Sequence, residues 1–270
     1  MKLTLPLSAA LALFGCSAVV GDVRSFTTHP EACPSGDPGA LRDLTLHFTD
    51  FAPHVGRRFE AELVTADNGQ LVARVIHNPI AASSIDLVIP HAVPPGDFEL
   101  DFGADLDDAL PLDHTWSRPV CDDGSLTFQH EGIFDPLTVP TPRGGGLTLT
   151  LSLPALPLFR NAALEVRVIA DFGASRQTVG VYRRSPLTPT GAAGVLDTSE
   201  FVEIPGVLDG RTPHQIVWFF DVNRDGVALS ADGDVICQRQ ATADASGIAL
   251  GTIDMVAERA SCDLQQLPAL

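Results

Sequence analysis

The segment Phe219 to Val235, FFDVNRDGVALSADGDV, carries oxygen donors at a spacing that suits a hard cation. Counted from Asp221, the residues Asp221, Asn223, Asp225 and Asp232 fall at positions one, three, five and twelve, with Gly226 at six and the Val227 carbonyl at seven. Oxygen ligands at alternate residues can wrap Ca²⁺, and a glycine at six permits the sharp turn. Asp232, or Asp234 two residues on, closes such a shell with less reach than a bidentate glutamate, so the expected affinity is weak, on the order of 10⁻⁴ to 10⁻³ M. The same stretch also suits a hairpin turn at NRDG whose carboxylates face water.

A second set of donors is imidazole. Seven of the eight histidines precede Ile133, and three stand at loops or strand ends: His54 in APHVG, His114 in LDHTW and His130 in FQHEG. Imidazoles brought from separate loops to one end of a β-sandwich suit copper or zinc. The alternative is a structural role, with His114 hydrogen-bonding a loop and Trp116 packing, since no two of the three have tight local spacing. Catalytic motifs with recognisable local spacing are missing: there is no G-x-S-x-G, no H-E-x-x-H and no glycine-rich loop opening a helix. Acidic neighbours such as Asp107 and Asp108, or Asp122 and Asp123, point apart in turns. The chain therefore reads as a non-enzymatic binding or structural protein, with a metal-binding or metal-dependent role for the histidines as the alternative.

The elements that must position these residues are strands. LTLHFTDF (Leu44 to Phe51), FEAELV (Phe59 to Val64), LVARVI (Leu71 to Ile76), IDLVI (Ile85 to Ile89), FELDF (Phe98 to Phe102) and SLTFQH (Ser125 to His130) are short apolar or alternating runs divided by Gly, Pro and Asp turns. VPTPRGGG, residues 139–146, interrupts them as a linker, and the plan then restarts. LTLTLSL (Leu147 to Leu153) echoes LTLHFTDF, ALEVRVI (Ala163 to Ile169) echoes FEAELV, and VWFFDVNRDG falls where LDFGADLDDA fell. Such an ordered series is what a tandem duplication leaves. The expected fold is all-β: two tandem β-sandwiches of immunoglobulin or transthyretin type, at 41–138 and 147–270, each with about seven strands. Alternation directs Trp218 and Phe220 to one face and Phe219 to the other. The second copy offers Leu156 or Phe159, Asp234 and the Thr242 region in place of the three histidines.

The Asp221 loop resembles the D-x-N-x-D-G loop of dockerins and EF-hands over its twelve residues. Those families place helices around the loop; here the strand IVWFF leads in, as in the strand-loop calcium sites of β-propeller repeats. The first copy's loop, DLDDALPLDHTW, keeps Asp105, Asp107, Asp108 and Asp113 but has Ala109 and Pro111 where the second has Asp225 and Val227, and lacks the glycine.

Composition bounds the rest. Hydrophobic residues make up 45% of the 270 and charged ones 19%, which is a folding composition rather than a disordered one. A net charge of -17 repels nucleic acid and anionic lipid head groups. Met1 and Lys2 precede an apolar run from Leu3 that ends in LFGC, Leu13 to Cys16. This resembles the lipobox of bacterial lipoproteins, with Phe14 bulkier than the usual small residue. The resemblance implies a signal peptide at 1–15, lipid on Cys16, a tether over 16–40, and a cell-envelope protein held on the outer membrane or cell surface. Its partners would then be the membrane, through that lipid, and an unidentified protein or surface ligand. An ordinary signal peptide would also export the chain. In an oxidising compartment the remaining Cys33, Cys121, Cys237 and Cys262 allow three pairings, and position favours Cys33 with Cys121 and Cys237 with Cys262.

Overall fold

The computed structural model describes residues 39–104, 114–130, 145–152, 159, 161–173, 175–187, 199–225, 227–242, 247–255, 262, 264 and 267. The expected signal peptide, Cys16, most of the tether, Cys33, the first copy's Asp105 to Asp113 loop and Gly226 lie outside the described residues. What is described is built from strands: β1 (Arg42–Thr49), β2 (Phe59–Thr65), β3 (Leu71–His77), β4 (Ile85–Val93), β5 (Phe98–Ala104), β6 (His114–Pro119) and β7 (Ser125–Gln129), then β8 (Gly145–Ser152), β9 (Ala163–Asp171), β10 (Arg176–Arg184), β11 (Ser199–Leu208), β12 (Pro213–Asp221), β13 (Val235–Thr242) and β14 (Gly247–Asp254). The period-two pattern explains the outer strands: in β1, Leu44, Leu46 and Phe48 are buried while their neighbours are exposed or half-buried.

The second seven strands repeat the pairing of the first seven. β1 lies between β4 and β7 in one three-stranded sheet, and β8 lies between β11 and β14 in another. In both, the outer pairings are antiparallel on one side and parallel on the other. The remaining strands form one eight-stranded sheet in the order β13-β12-β9-β10-β3-β2-β5-β6, which is the same sequence of equivalents read from either end. The linker expected at 139–146 gives its last two glycines to β8, where Gly145 pairs with Leu208. A Cβ on Gly146 would stand 3.2 Å from the Cα of Pro205, so glycine lets β8 and β11 approach closely at this point.

The two halves meet where β3 and β10 pair in parallel, Val75 beside Val181 and Ile76 beside Tyr182. Val75 and Val181 belong to the core of the first half, Ile76 and Tyr182 to that of the second. The two cores therefore lie on opposite faces of one sheet. β4 reaches over β10 and β11 over β3, so each three-stranded sheet covers its own half and the neighbouring edge strand. Strands at the centre of such a sheet are buried on both faces, which is why Leu164 to Ala170 in β9 are buried without alternation.

Away from each core the central sheet carries buried charge. Arg74 donates to Glu62 at 2.5 Å and lies 3.6 Å from Glu60, which Arg58 also meets at 2.5 Å. In the second half Glu165 accepts from both Arg167 and Arg183. Burial alone would raise the Glu165 carboxyl, but the guanidiniums of Arg183 and Arg167 outweigh it and hold it below the ordinary range. Arg183 also donates to the Val88 carbonyl of β4 at 3.1 Å. His77 pairs with Arg183 across the seam. Burial first, and then the Arg183 charge, push its imidazole down to about 4, against a smaller opposing pull from Glu165.

A histidine depressed in this way stays neutral in the fold while the unfolded chain takes up a proton below about pH 6.5. Stability should accordingly be undiminished by His77 above pH 6.5 and fall as the pH drops from 6.5 to about 4. His214, also depressed chiefly by burial, acts in the same direction. Denaturant titrations across pH 4 to 7 should show His77→Gln flattening part of this slope; an unchanged slope would mean the seam imidazole is not the group titrating.

Candidate functional site

The Asp221 loop leaves β12 at its buried end. Asp221 and Asp234 are buried, while Asn223, Arg224, Asp225 and Asp232 are exposed. Each inner carboxylate is met by main-chain donors. Asp221 Oδ1 accepts the Arg224 N–H at 2.5 Å, and Asp234 accepts the N–H of Val222 at 2.8 Å and of Leu229 at 3.0 Å. Asp225 accepts the Val227 N–H at 2.8 Å and the Asn223 amide at 2.9 Å. Arg224 takes a positive φ of 60° at the tip, and Asp232 sits in a short 3-10 turn, Ser230–Asp232, closed by Gly233 at φ 92°. Asp234 rather than Asp232 thus ties the two ends of the loop together. Among the described residues no three His, Cys, Asp or Glu side chains gather as a metal cage. A calcium ion here would compete with main-chain donors for Asp221 and Asp225.

The loop also packs. Ala228 joins Ile169, Val217, Phe219 and Ile236 in a small cluster on the outer face of the second half, against Leu264 and Leu267. Trp218 and Phe220 enter the main core of that half instead, so consecutive residues divide between the faces as alternation requires. Cys237 on β13 and Cys262 form a disulfide that holds the C-terminal stretch to this sheet. Cys121 is also disulfide-bonded; Cys33, its expected partner, is outside the described residues.

The histidines present a tighter arrangement. His54 ends the 3-10 turn Ala52–His54 between β1 and β2, fully buried. His130 follows β7, half-buried, and its main-chain N–H donates to the Thr49 carbonyl of the neighbouring β1. Their Nε2 atoms lie 3.1 Å apart, although 76 residues separate them in the chain. Phe51 and Trp116 wall the pair, with ring centres 5.5 Å and 5.4 Å from His130. Residue 114 opens β6 opposite Ala104, two positions before Trp116. As a hydrogen bond the contact needs one Nε2 protonated and the other bare.

The second half shows what the same positions hold without histidine. In the first half Gly56 N–H donates to Ile80 O, Ile80 N–H to Arg57 O, and Arg57 N–H to His54 O. In the second, Asn161 donates to Leu187, Leu187 to Ala162, and Ala162 to Phe159. Phe159 is therefore the counterpart of His54. By the same registration Ala104 corresponds to Phe220, His114 to Val235 and, one residue past the matched β7 and β14 ends, His130 to Met255. Phe159 stacks on Phe220 with ring centres 4.1 Å apart, and Val235 and Met255 are buried in the same core. From sequence the counterparts read as Leu156 or Phe159, Asp234 and the Thr242 region; the hydrogen bonds select Phe159. Only strand pairing corrects the other two to Val235 and Met255.

No protein-family model matches the chain, and no curated protein matches it in sequence. Among solved structures, a C-terminally truncated tip fimbrial protein, Mfa3, from Porphyromonas gingivalis is similar at 11% identity, over 76% of this chain and 84% of that one. The TM-score is 0.22, so the likeness carries no argument about this protein.

Because the buried Asp234 carboxylate accepts from two main-chain donors, Val222 and Leu229, Asp234→Ala should cost about 1–3 kcal/mol of folding stability. In the same calcium-free denaturant titration, Asp232→Ala, at an exposed position, should change it by less than about 0.5 kcal/mol.

Proposed function

We propose that this chain is an exported, lipid-anchored, non-enzymatic binding or structural module of the bacterial cell envelope, made of two immunoglobulin- or transthyretin-like sandwiches that arose by tandem duplication. The observation that carries this reading is the continuous eight-stranded sheet joining the two halves. At about 4.8 Å between neighbouring strands it spans roughly 34 Å, a distance a flexible linker could not hold constant. A rigid spacer of this kind suits a protein that presents its loops to a partner protein or surface ligand at a fixed separation from a membrane. With a net charge of -17, attachment would come through lipid on Cys16 rather than through the protein surface. Among the described residues no helix is long and apolar enough to cross a membrane.

The anchoring is tested by expressing the chain in a bacterium and weighing the mature protein. Acyl groups on an N-terminal Cys16, with the protein in the membrane fraction and released by Cys16→Ser, are the expected result. A mature chain that begins elsewhere without lipid would remove the anchor from the reading.

Calcium belongs to the same proposal as a weak stiffener of the second half, held by Asp221, Asn223, Asp225, the Val227 carbonyl and Asp232. With a Kd near 10⁻³ M, 10 mM calcium adds about 1.4 kcal/mol, a rise of roughly 3–6 °C in Tm for a chain of this size. Asp221→Ala should erase the rise. A melting curve that ignores calcium would leave the Asp221 loop as a turn closed by its own hydrogen bonds.

A further inference from the structure

We propose that His54 and His130 are ligands of a divalent transition metal, Cu²⁺ or Zn²⁺, at one end of the first half. Two independent observations lead there. The first is metric. Two imidazole nitrogens each about 2.0–2.1 Å from one cation, at angles between square-planar and tetrahedral, stand about 2.9–3.4 Å apart. The Nε2 atoms of His54 and His130 stand 3.1 Å apart, with the ring planes tilted by 59°.

The second is the comparison of the two halves. The second half closes this end of its core with Phe159, Phe220, Val235 and Met255. Packing alone therefore asks for apolar side chains here, and burying imidazoles in their place costs free energy unless each polar nitrogen is satisfied. The first half instead has His54, Ala104, His114 and His130 at the four matching positions. Three histidines replace apolar residues, and the aromatic Phe220 is replaced by alanine, the smallest side chain that retains a Cβ. A change confined to packing would keep apolar side chains at these positions; this one exchanges two phenylalanines, a valine and a methionine for an alanine and three histidines.

The surroundings define the cation class. Phe51 and Trp116 line the pair and supply no oxygen ligand, which disfavours Ca²⁺ and Mg²⁺. Imidazole donors suit Cu²⁺ and Zn²⁺, with the further coordination positions open to water or to another donor at this end. His130 is half-buried, so solvent reaches the site from its side. This inference is independent of the proposed role as an envelope module.

The test uses the full chain loaded separately with Cu²⁺ and Zn²⁺ salts, dialysed, and measured by elemental analysis. Nitrogen hyperfine structure in the Cu²⁺ electron paramagnetic resonance spectrum and quenching of Trp116 fluorescence, read in a Trp218→Phe background, report the location. About one equivalent of either metal, lost in the His54→Phe, His130→Met double variant that copies the second half, is the expected result. Should that variant fail to fold, His130→Ala, at the more exposed position, should abolish stoichiometric binding and the quenching. Metal that remains at one equivalent in these variants, or a wild-type chain that retains no more metal than they do, would overturn the proposal and leave the two imidazoles as a hydrogen-bonded pair.

Discussion

Everything in this molecule hangs on the parallel pairing of β3 with β10. Four residue pairs, from Arg74 beside Gly180 to His77 beside Arg183, join two half-sheets into one. Because the paired strands are equivalents in the two halves and run in the same direction, opposite faces of the joined sheet receive the two outer sheets. Gly180 marks how close that packing is: a Cβ there would stand 3.1 Å from side-chain carbons of both Ile204 and Val207 on β11. The seam thus lends each core one layer from the other half, Val181 to the first and Ile76 to the second.

A consequence is that the back of each half-sheet must be closed by something other than its own three-stranded sheet. Charge does this near the seam, where Arg183 links Glu165, the Val88 carbonyl and, through main-chain pairing, His77. A buried ion pair is poor evidence of net stabilisation, since desolvation offsets most of the attraction. Its geometry does favour one registration of β10 against β9, because a slip would take the Arg183 cation away from the buried Glu165. Farther out, the second half closes its back with Phe219, Ala228 and the C-terminal leucines, and the Cys237–Cys262 bridge keeps that stretch in place.

The two halves share one scaffold but use their ends differently. In the second half, the end nearest Phe159 is a sealed apolar plug, and the long Asp221 loop folds back on its own carboxylates. In the first half, the matching end holds the two imidazoles inside an aromatic wall of Phe51 and Trp116. Two halves with the same strand pairing permit this because the strands, not the end residues, carry the fold. The stability of each half rests on its interior rows, leaving a few terminal positions available for chemistry.

Much of this was legible in the residues. The alternation in β1 and β5, the division of Trp218, Phe219 and Phe220 between two faces, and the restart of the plan near Leu147 are side-chain patterns, and side-chain patterns are local. The seam was not legible, because β3 and β10 are joined by main-chain hydrogen bonds, which look alike whatever side chains they carry. β6, β10 and β13 are not legible in the residues for a related reason: polar residues such as Arg118, Arg183 and Gln238 break the alternation wherever a sheet faces charge rather than oil. The histidines were visible as a list, but the 3.1 Å approach of His54 to His130 depends on β1 and β7 lying side by side in parallel. Sequence by itself determined which faces of the strands are apolar and that the plan occurs twice, since both follow from residue type and order. Tertiary structure alone decided that the two copies share a sheet and which histidines meet, since both depend on contacts between residues far apart in the chain.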